Sequence, residues 1–427
     1  MLDIKIIRET PELVKQTLKA RGYENQVNWV DDVLEYDTYW RKYRHEENLL
    51  REKRNKISKK LPSLSTEEKA KKIAEMKEIG PKLERAQKKR REFQEKRQYI
   101  LDRIPNLIHE SVPRGLDESD NVEIRRWGEI PFFSFKPKDH VELMTQLDLL
   151  EIERASKVSG SRFYYLKNKA MILDLALIRF ALDHLIKKGF IPFLTPVLVR
   201  KRALYGTGFL PLGADGVYFI EGEDLGLIGT SEIALGALYM DEILEEKDLP
   251  KWYSGFSPCF RTEAGTTADT KGIFRVHKFH KVEMYKFCKP ECSWEEFNHL
   301  IETAEEIFKQ LELPYRIMNL CSGDLGIAAA KTYDLEVWIP SQSKYREAVS
   351  CSNTTDFQAR RLNIRFRRKE PGTPVDYLHT LNSTALATNR AIIAIIEVNQ
   401  KEDGSVQIPK ALWDYTGFKE IALTDKT

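Results

Sequence analysis

The chain is as informative for what it lacks as for what it holds. No stretch of its 427 residues approaches the ~18 consecutive apolar positions that a membrane-spanning helix requires, and no leader-like segment precedes the first helical pattern. A soluble, cytoplasmic protein with no membrane partner is the expectation. Cysteine is scarce and odd in number: Cys259, Cys288, Cys292, Cys321 and Cys351. That excludes a disulfide framework and points to a reducing compartment. Cys288 and Cys292 have no histidine pair at metal spacing nearby, so no zinc is expected. The eight histidines are scattered, and no convincing Ser-His-Asp or Cys-His set stands out. No internal repeat or low-complexity tract is visible. What remains, 42% hydrophobic and 10% aromatic, is enough for a substantial core in two or three domains.

The net charge is only +3, but it is unevenly spread. Between Arg51 and Arg103 there are 19 Lys and Arg against 9 Asp and Glu, a net +10, leaving −7 for the remainder. Val33, Tyr36, Trp40, Tyr43, Leu50, Ile57 and Leu61 recur at helical spacing. A second series runs Ile73, Met76, Ile79, Leu83, Ala86, Phe93, Ile100, Ile104. Each helix has one narrow apolar seam, and the break Leu61-Pro62-Ser63-Leu64-Ser65 lets the two fold back as an antiparallel coiled-coil arm. Gly80-Pro81 is expected to kink or restart the second helix. Lysine- and arginine-rich outer faces suit a polyanion such as RNA, with a dimerisation coiled coil as the alternative. The segment Ile104–Ile130 reads as a loop, which places the domain boundary there: 1–112 for the helical arm, 113–427 for a mixed domain.

In the mixed domain, Pro258–Phe287 reads as a long hairpin whose loop carries Gly265, Thr266, Thr267 and Gly272. Residues two apart on a strand share a face, so Arg261 joins Glu263, while Arg275, Phe279 and Glu283 line up on the return strand. Two guanidiniums, two carboxylates and a phenyl ring on one face suit a phosphate chain, a flat base and an ammonium group. A solvated hairpin face is the plainer alternative. Leu173–Lys188 is an amphipathic helix followed by a strand containing Pro196. Near the end, Ala391–Ile396 is apolar on every face and reads as a buried helix, so Arg390 beside it needs an anionic partner. That partner is either a protein carboxylate or a bound phosphate. Gly229-Thr230-Ser231-Glu232 and Tyr345–Asn353 each combine a carboxylate with hydroxyls, as a small polar amino acid and a divalent ion would require.

In this order, a proline-bearing strand after a helix, an FRxE…RxxxFxxxE hairpin, and an arginine opening a buried helix resemble the three signatures of class II aminoacyl-tRNA synthetases. Thr230-Ser231-Glu232, FRTEAG, DTKGIFRVHKFHKVE, YREAVSCSN, QARRLNIR, VSGSRFYYL and the basic helical hairpin narrow the resemblance to the seryl-tRNA synthetase family over nearly the whole chain. LNSTALATNR is similar to the archaeal and eukaryotic forms. The resemblance implies an α+β fold, an antiparallel sheet flanked by helices and preceded by the arm. It implies serine activation by ATP, then transfer to the 3′ end of serine tRNA and, where present, of selenocysteine tRNA. It also implies a homodimer built on the first signature and an arm that reads tRNA by shape. By the same resemblance, Arg261, Glu263 and Arg390 are catalytic, and serine is held by Thr230, Glu232, Arg261, Glu283, Asn382 and Thr384. ATP is held by Arg261, Glu263, Arg275, Val276, Phe279, Glu347, Ala348, Val349, Ser350 and Arg390. Glu347 and Ser350 are the implied Mg²⁺ ligands. A non-catalytic RNA-binding paralogue is expected to lack one of Arg261, Glu263, Glu283 or Arg390, and all four are present. An amino-acid ligase for a carrier protein is expected to lack the basic arm. With 37 residues after Arg390, the anticodon-binding domain of the threonine, proline and histidine enzymes is not expected.

Overall fold

The computed structural model describes residues 1–264, 271–370 and 372–423, in two compact units. One is Leu2–Pro105; the other is Asn106–Thr427 together with Met1.

In the first unit, helices α1 (Ile4–Glu9) and α2 (Pro11–Ala20) precede two long ones, α3 (Trp29–Lys60) and α4 (Thr66–Leu101). A capping box starts α4: Ser65 Oγ accepts from Glu68 N at 3.5 Å and Glu68 Oε2 accepts from Ser65 N at 3.0 Å. Val33 and Ile57 of α3 and Ile79, Leu83 and Ala86 of α4 are buried along the seam. Two carboxylates are buried with them. Asp37 accepts from Arg97 at 2.6 Å and from Arg8 at 2.8 Å; Glu47 accepts from Arg90 at 2.7 Å. Because the earlier carboxylate meets the later arginine, the helices run antiparallel in one register. Tyr39 and Tyr43 stack on Phe93, with ring centres 4.7 and 5.8 Å away. Of the kink or restart expected at Gly80-Pro81, the restart does not occur, and α4 runs through Pro81. Proline removes one donor there, and the buried side chains on either side hold the helix together.

The division between the units falls after Pro105 rather than after 112. The intervening residues are tied into the second unit. Asn106 N donates to Ile327 O and its side-chain amide to Ala328 O and Thr354 O, all at 2.9 Å, while Val112 packs on Met318 and Leu320.

The second unit is built on eight strands: β1 (Val122–Trp127), β2 (Ile191–Leu194), β3 (Lys251–Phe260), β4 (Lys278–Cys288), β5 (Tyr315–Asn319), β6 (Lys331–Ile339), β7 (Lys344–Asn353) and β8 (His379–Ala387). Their order across the sheet is β1-β5-β6-β7-β8-β4-β3-β2, antiparallel throughout except β2 with β3. Helices α5 (Lys169–Lys187), α6 (Ser293–Gln310) and α7 (Thr388–Val398) pack against it. Strand alternation on β4 divides its residues between two environments. Val282 and Met284 enter the main apolar core, His280 pairs with Asp174 of α5 at 2.7 Å, and Lys286 pairs with Glu296 of α6 at 2.5 Å. The intervening Phe279, Lys281 and Glu283 turn to the other face. Pro196 lies outside any strand: β2 ends at Leu194 and the next extended segment begins at Leu198, because proline cannot donate to a ladder. Among the described residues no helix is long and apolar enough to cross a membrane.

Candidate active site

Two cavities, of about 300 and 90 Å³, share a wall formed by Arg261, Lys281, Glu347 and Thr384.

The larger is acidic at its base. Thr230, Glu232, Glu283, Ser350, Asn382 and Thr384 line it. Glu232 is the first residue of a short helix, Glu232–Gly236, and its Oε1 accepts from Gln358 Nε2 at 2.9 Å and Asn382 Nδ2 at 3.1 Å. Gln358 is oriented from behind, where Tyr285 and Thr380 hydroxyls both donate to its carbonyl oxygen at 2.6 and 2.9 Å. One carboxylate oxygen of Glu232 is thereby fixed and the other is left for a ligand. Burial, then the nearby charge of Glu283, pushes the Glu232 carboxyl up to about 7. Glu283 is almost wholly buried; Lys281 Nζ lies 2.5 Å from its Oε2, yet that oxygen lacks an aligned hydrogen bond.

The smaller cavity is cationic and aromatic. Besides the shared wall, Glu263, Phe274, Arg275, Val276, Phe279, Ala348 and Arg390 are among the residues that line it. Arg275 Nη1 lies 3.4 Å from Glu263 Oε2, and the Arg261 guanidinium sits 5.2 Å from the Phe279 ring centre. Arg390, at the start of α7, bonds backbone oxygens: its Nε donates to Phe274 O at 3.1 Å and its Nη1 to Glu347 O. It stacks on Phe274 at 3.6 Å. Burial lowers Arg390 to about 10, partly offset by Glu347.

Local irregularity brings these groups together. On β7, Val349 pairs with Leu335 while Glu347 pairs with Glu336, so Ala348 is an extra residue. This bulge turns Glu347 to the side of Ser350, which simple alternation would forbid at a spacing of three. Asp334, opposite Ser350 on β6, has one carboxyl oxygen without a hydrogen-bond partner, and burial with the neighbouring Glu347 raises its carboxyl well above the usual range. A carboxylate, a hydroxyl and an orphaned carboxyl oxygen are hard donors that fit a small divalent cation retaining several waters. Among the described residues no cluster of three or more His, Cys, Asp or Glu is arranged as a metal cage.

Of the residues to which the family resemblance gives a catalytic, serine, ATP or metal role, all but Val349 line one cavity or the other. The Val349 side chain is in the apolar core. The hairpin differs from expectation: its ladder ends at Phe260 and resumes at Lys278, so Arg261, Glu263 and Arg275 lie on loop segments. Glu263 has φ +50, where strand alternation no longer applies. Gly265, Thr266 and Thr267 lie outside the described residues. Gly272, also expected in that loop, has φ +71, and a Cβ there would fall 2.1 Å from His140 Nε2. Sequence reasoning passed over Lys281, Phe274, Gln358 and Asp334. Lys281 was within reach, since it falls between Phe279 and Glu283 on the same period-two face. The others gave no periodic signal.

Comparison with known proteins identifies the family. Residues 218–399 match the tRNA synthetase class II core domain (G, H, P, S and T), and residues 1–108 match the seryl-tRNA synthetase N-terminal domain. The chain is 51% identical over 449 residues to a serine–tRNA ligase from Pyrococcus horikoshii, covering 100% of this chain and 98% of that one. A crystal structure of the seryl-tRNA synthetase from P. horikoshii complexed with ATP superimposes with a TM-score of 0.93 at 51% identity, covering 99% of both chains. The cytoplasmic serine–tRNA ligase of Naegleria fowleri, solved with AMP, superimposes at 0.87 with 35% identity over 99% of both. With its helical unit, its antiparallel sheet and its paired cavities, this chain belongs to the seryl-tRNA synthetase family of class II aminoacyl-tRNA synthetases.

Proposed function

We propose that the protein activates L-serine with ATP and transfers the seryl group to the 3′ end of serine tRNA. The observation that carries this reading is the shared wall. An acidic cavity sized for an amino acid and a cationic, aromatic cavity meet at Arg261, where a carboxylate and an α-phosphate can be held together. The larger cavity takes serine. Glu232 and Glu283 receive its ammonium and hydroxyl, with Thr230, Asn382 and Thr384 completing the pocket. The smaller takes ATP. Phe279 stacks on adenine, Glu263 accepts from its amino group beside Val276, and Arg275 and Arg390 bind the phosphates. Arg261 binds serine carboxylate and α-phosphate at once, which its forked guanidinium suits.

Serine's carboxylate oxygen attacks the α-phosphorus, the bond to the bridging oxygen breaks, and pyrophosphate leaves with the electron pair. The terminal ribose hydroxyl of tRNA then attacks the acyl carbon and AMP departs. Positioning and charge stabilisation suffice, and no protein nucleophile takes part. Mg²⁺ is the cation that Glu347 and Ser350 fit, and it would neutralise phosphate charge there. The basic helical unit binds tRNA through its backbone.

Pyrophosphate exchange into ATP, with serine, alanine, threonine and cysteine in turn and without tRNA, tests the reading. Serine should support exchange, and alanine about 10⁴-fold less efficiently, because a pocket built for a hydroxyl is left with unpaired buried groups. Absence of exchange with serine would overturn the assignment.

A further inference from the structure

Lys281 has no role in the scheme above, yet it occupies the wall common to both cavities. It is 7% exposed. Its ammonium lies 2.5 Å from Glu283 Oε2 and 3.5 Å from Thr384 Oγ1. The first contact is a charge pair without hydrogen-bond alignment, and the second is long. A buried ammonium has three donors to place, so these contacts leave it underused.

The charge count of the amino-acid cavity gives it a task. Glu232, Glu283 and Glu347 set three carboxylates against Arg261 and Lys281, and serine enters as a zwitterion. Without Lys281, three carboxylates would share the cavity with one guanidinium and one substrate ammonium while the phosphates lie next door. Uncompensated buried charge of that kind is strongly unfavourable. We infer that Lys281 is a second recognition residue for the carboxylate of the amino-acid substrate: it pairs with Glu283 in the free protein and passes to serine's carboxylate when the serine ammonium takes Glu283 over. Lys281 and Glu283 are two apart on β4, so their side chains leave the strand on one face about 7 Å apart. A lysine stem spans that distance towards either cavity. Arg261 alone then need not serve both the carboxylate and the α-phosphate. This inference rests on the serine-activating reading, and the wild-type exchange assay tests that reading separately.

The experiment compares serine with serinol, which keeps the ammonium and hydroxyl but carries a second hydroxymethyl group in place of the carboxylate. Affinities of both are measured by calorimetry and by inhibition of exchange, for the wild type and for Lys281→Met. Loss of a charge-assisted bond to the carboxylate should weaken serine by roughly 10- to 100-fold. Serinol, with no carboxylate to lose, should change by less than about threefold on the same ground. Equal weakening of both ligands would mean that Lys281 merely supports the pocket, and unchanged serine affinity would mean that it does not touch the substrate; either overturns the inference. Should the methionine variant not fold, Lys281→Gln, shorter, uncharged and polar, carries the same comparison.

Discussion

At the scale of single residues, the site works by setting charged groups against their surroundings. Glu232 is the clearest case. Its carboxyl is raised from 4.5 to about 7 by burial and by Glu283, while Lys281, the Gln358 bond and Arg261 oppose the shift. In the free protein below about pH 7 the proton therefore stays on Glu232, and above it the carboxylate can receive an ammonium. Serine's kcat/KM in the exchange assay should rise with pH through about 7, since this ratio reports groups of the free enzyme. Glu232→Gln cannot ionise and should flatten the profile in that range. Stability moves the opposite way with pH. A folded-state pKa above the unfolded one adds stability that is complete below about 4.5 and lost as pH rises through about 7. Saturating serine, which binds the ionised form, should thus raise the melting temperature more at pH 8 than at pH 6. A wild-type profile flat between pH 6 and 8 would show that Glu232 is already ionised.

At the scale of elements, the helical unit offers the sharpest division of labour. Asp37–Arg97 and Glu47–Arg90 fix the register of α3 and α4 at one end, and Lys53 Nζ lies 2.8 Å from Glu75 Oε1 further along. Replacing Arg54–Glu78 with a short Gly-Ser linker keeps both buried clamps while removing eight Lys and Arg against four Glu. Serine-dependent exchange should be unchanged, whereas tRNA charging should fall at least about tenfold and its salt dependence should flatten, as lost phosphate contacts require. Equal charging by the shortened protein would refute the arm's role. These helices were legible because seam and helical period coincide over many residues. Asp37 and Glu47 were not legible as buried, because a carboxylate on a helix ordinarily faces water and only its arginine partners across the seam reverse that. The sheet repeats the lesson. Phe279 and Glu283 could be placed on one face by counting twos, but Glu347 and Ser350 share a side through a bulge, and Glu263 through a left-handed backbone. Such irregularities are set by tertiary contacts, and local patterning does not register them.

At the scale of the whole molecule, the exposed apolar side chains argue for a second copy. On α5, Met171 and Leu175 are 48% and 51% exposed; on β2, Ile191 and Leu194 are 55% and 80% exposed. β2 is also an edge strand, bonded only to β3 in the main sheet. Exposed apolar residues beside an open sheet edge are a liability that association removes. We propose a homodimer through this face, and a two-fold axis there would place the same patch on both partners. Light scattering should then give about twice 49.7 kDa. Leu175→Glu with Leu194→Glu should shift the protein to monomer, since each charge would be buried unpaired twice over in a symmetric contact. Activity should follow. β2 pairs with β3 from Ile191 to Leu194, and β3 runs directly into Arg261, so freeing the edge loosens the strand that positions that guanidinium. The double variant should lose exchange by more than about tenfold, on the scale set by misplacing one charge-stabilising group. Wild-type exchange per protomer should fall on dilution through the dimer dissociation range. A monomeric variant with full exchange would separate the interface from the chemistry and leave the open edge without a function in catalysis.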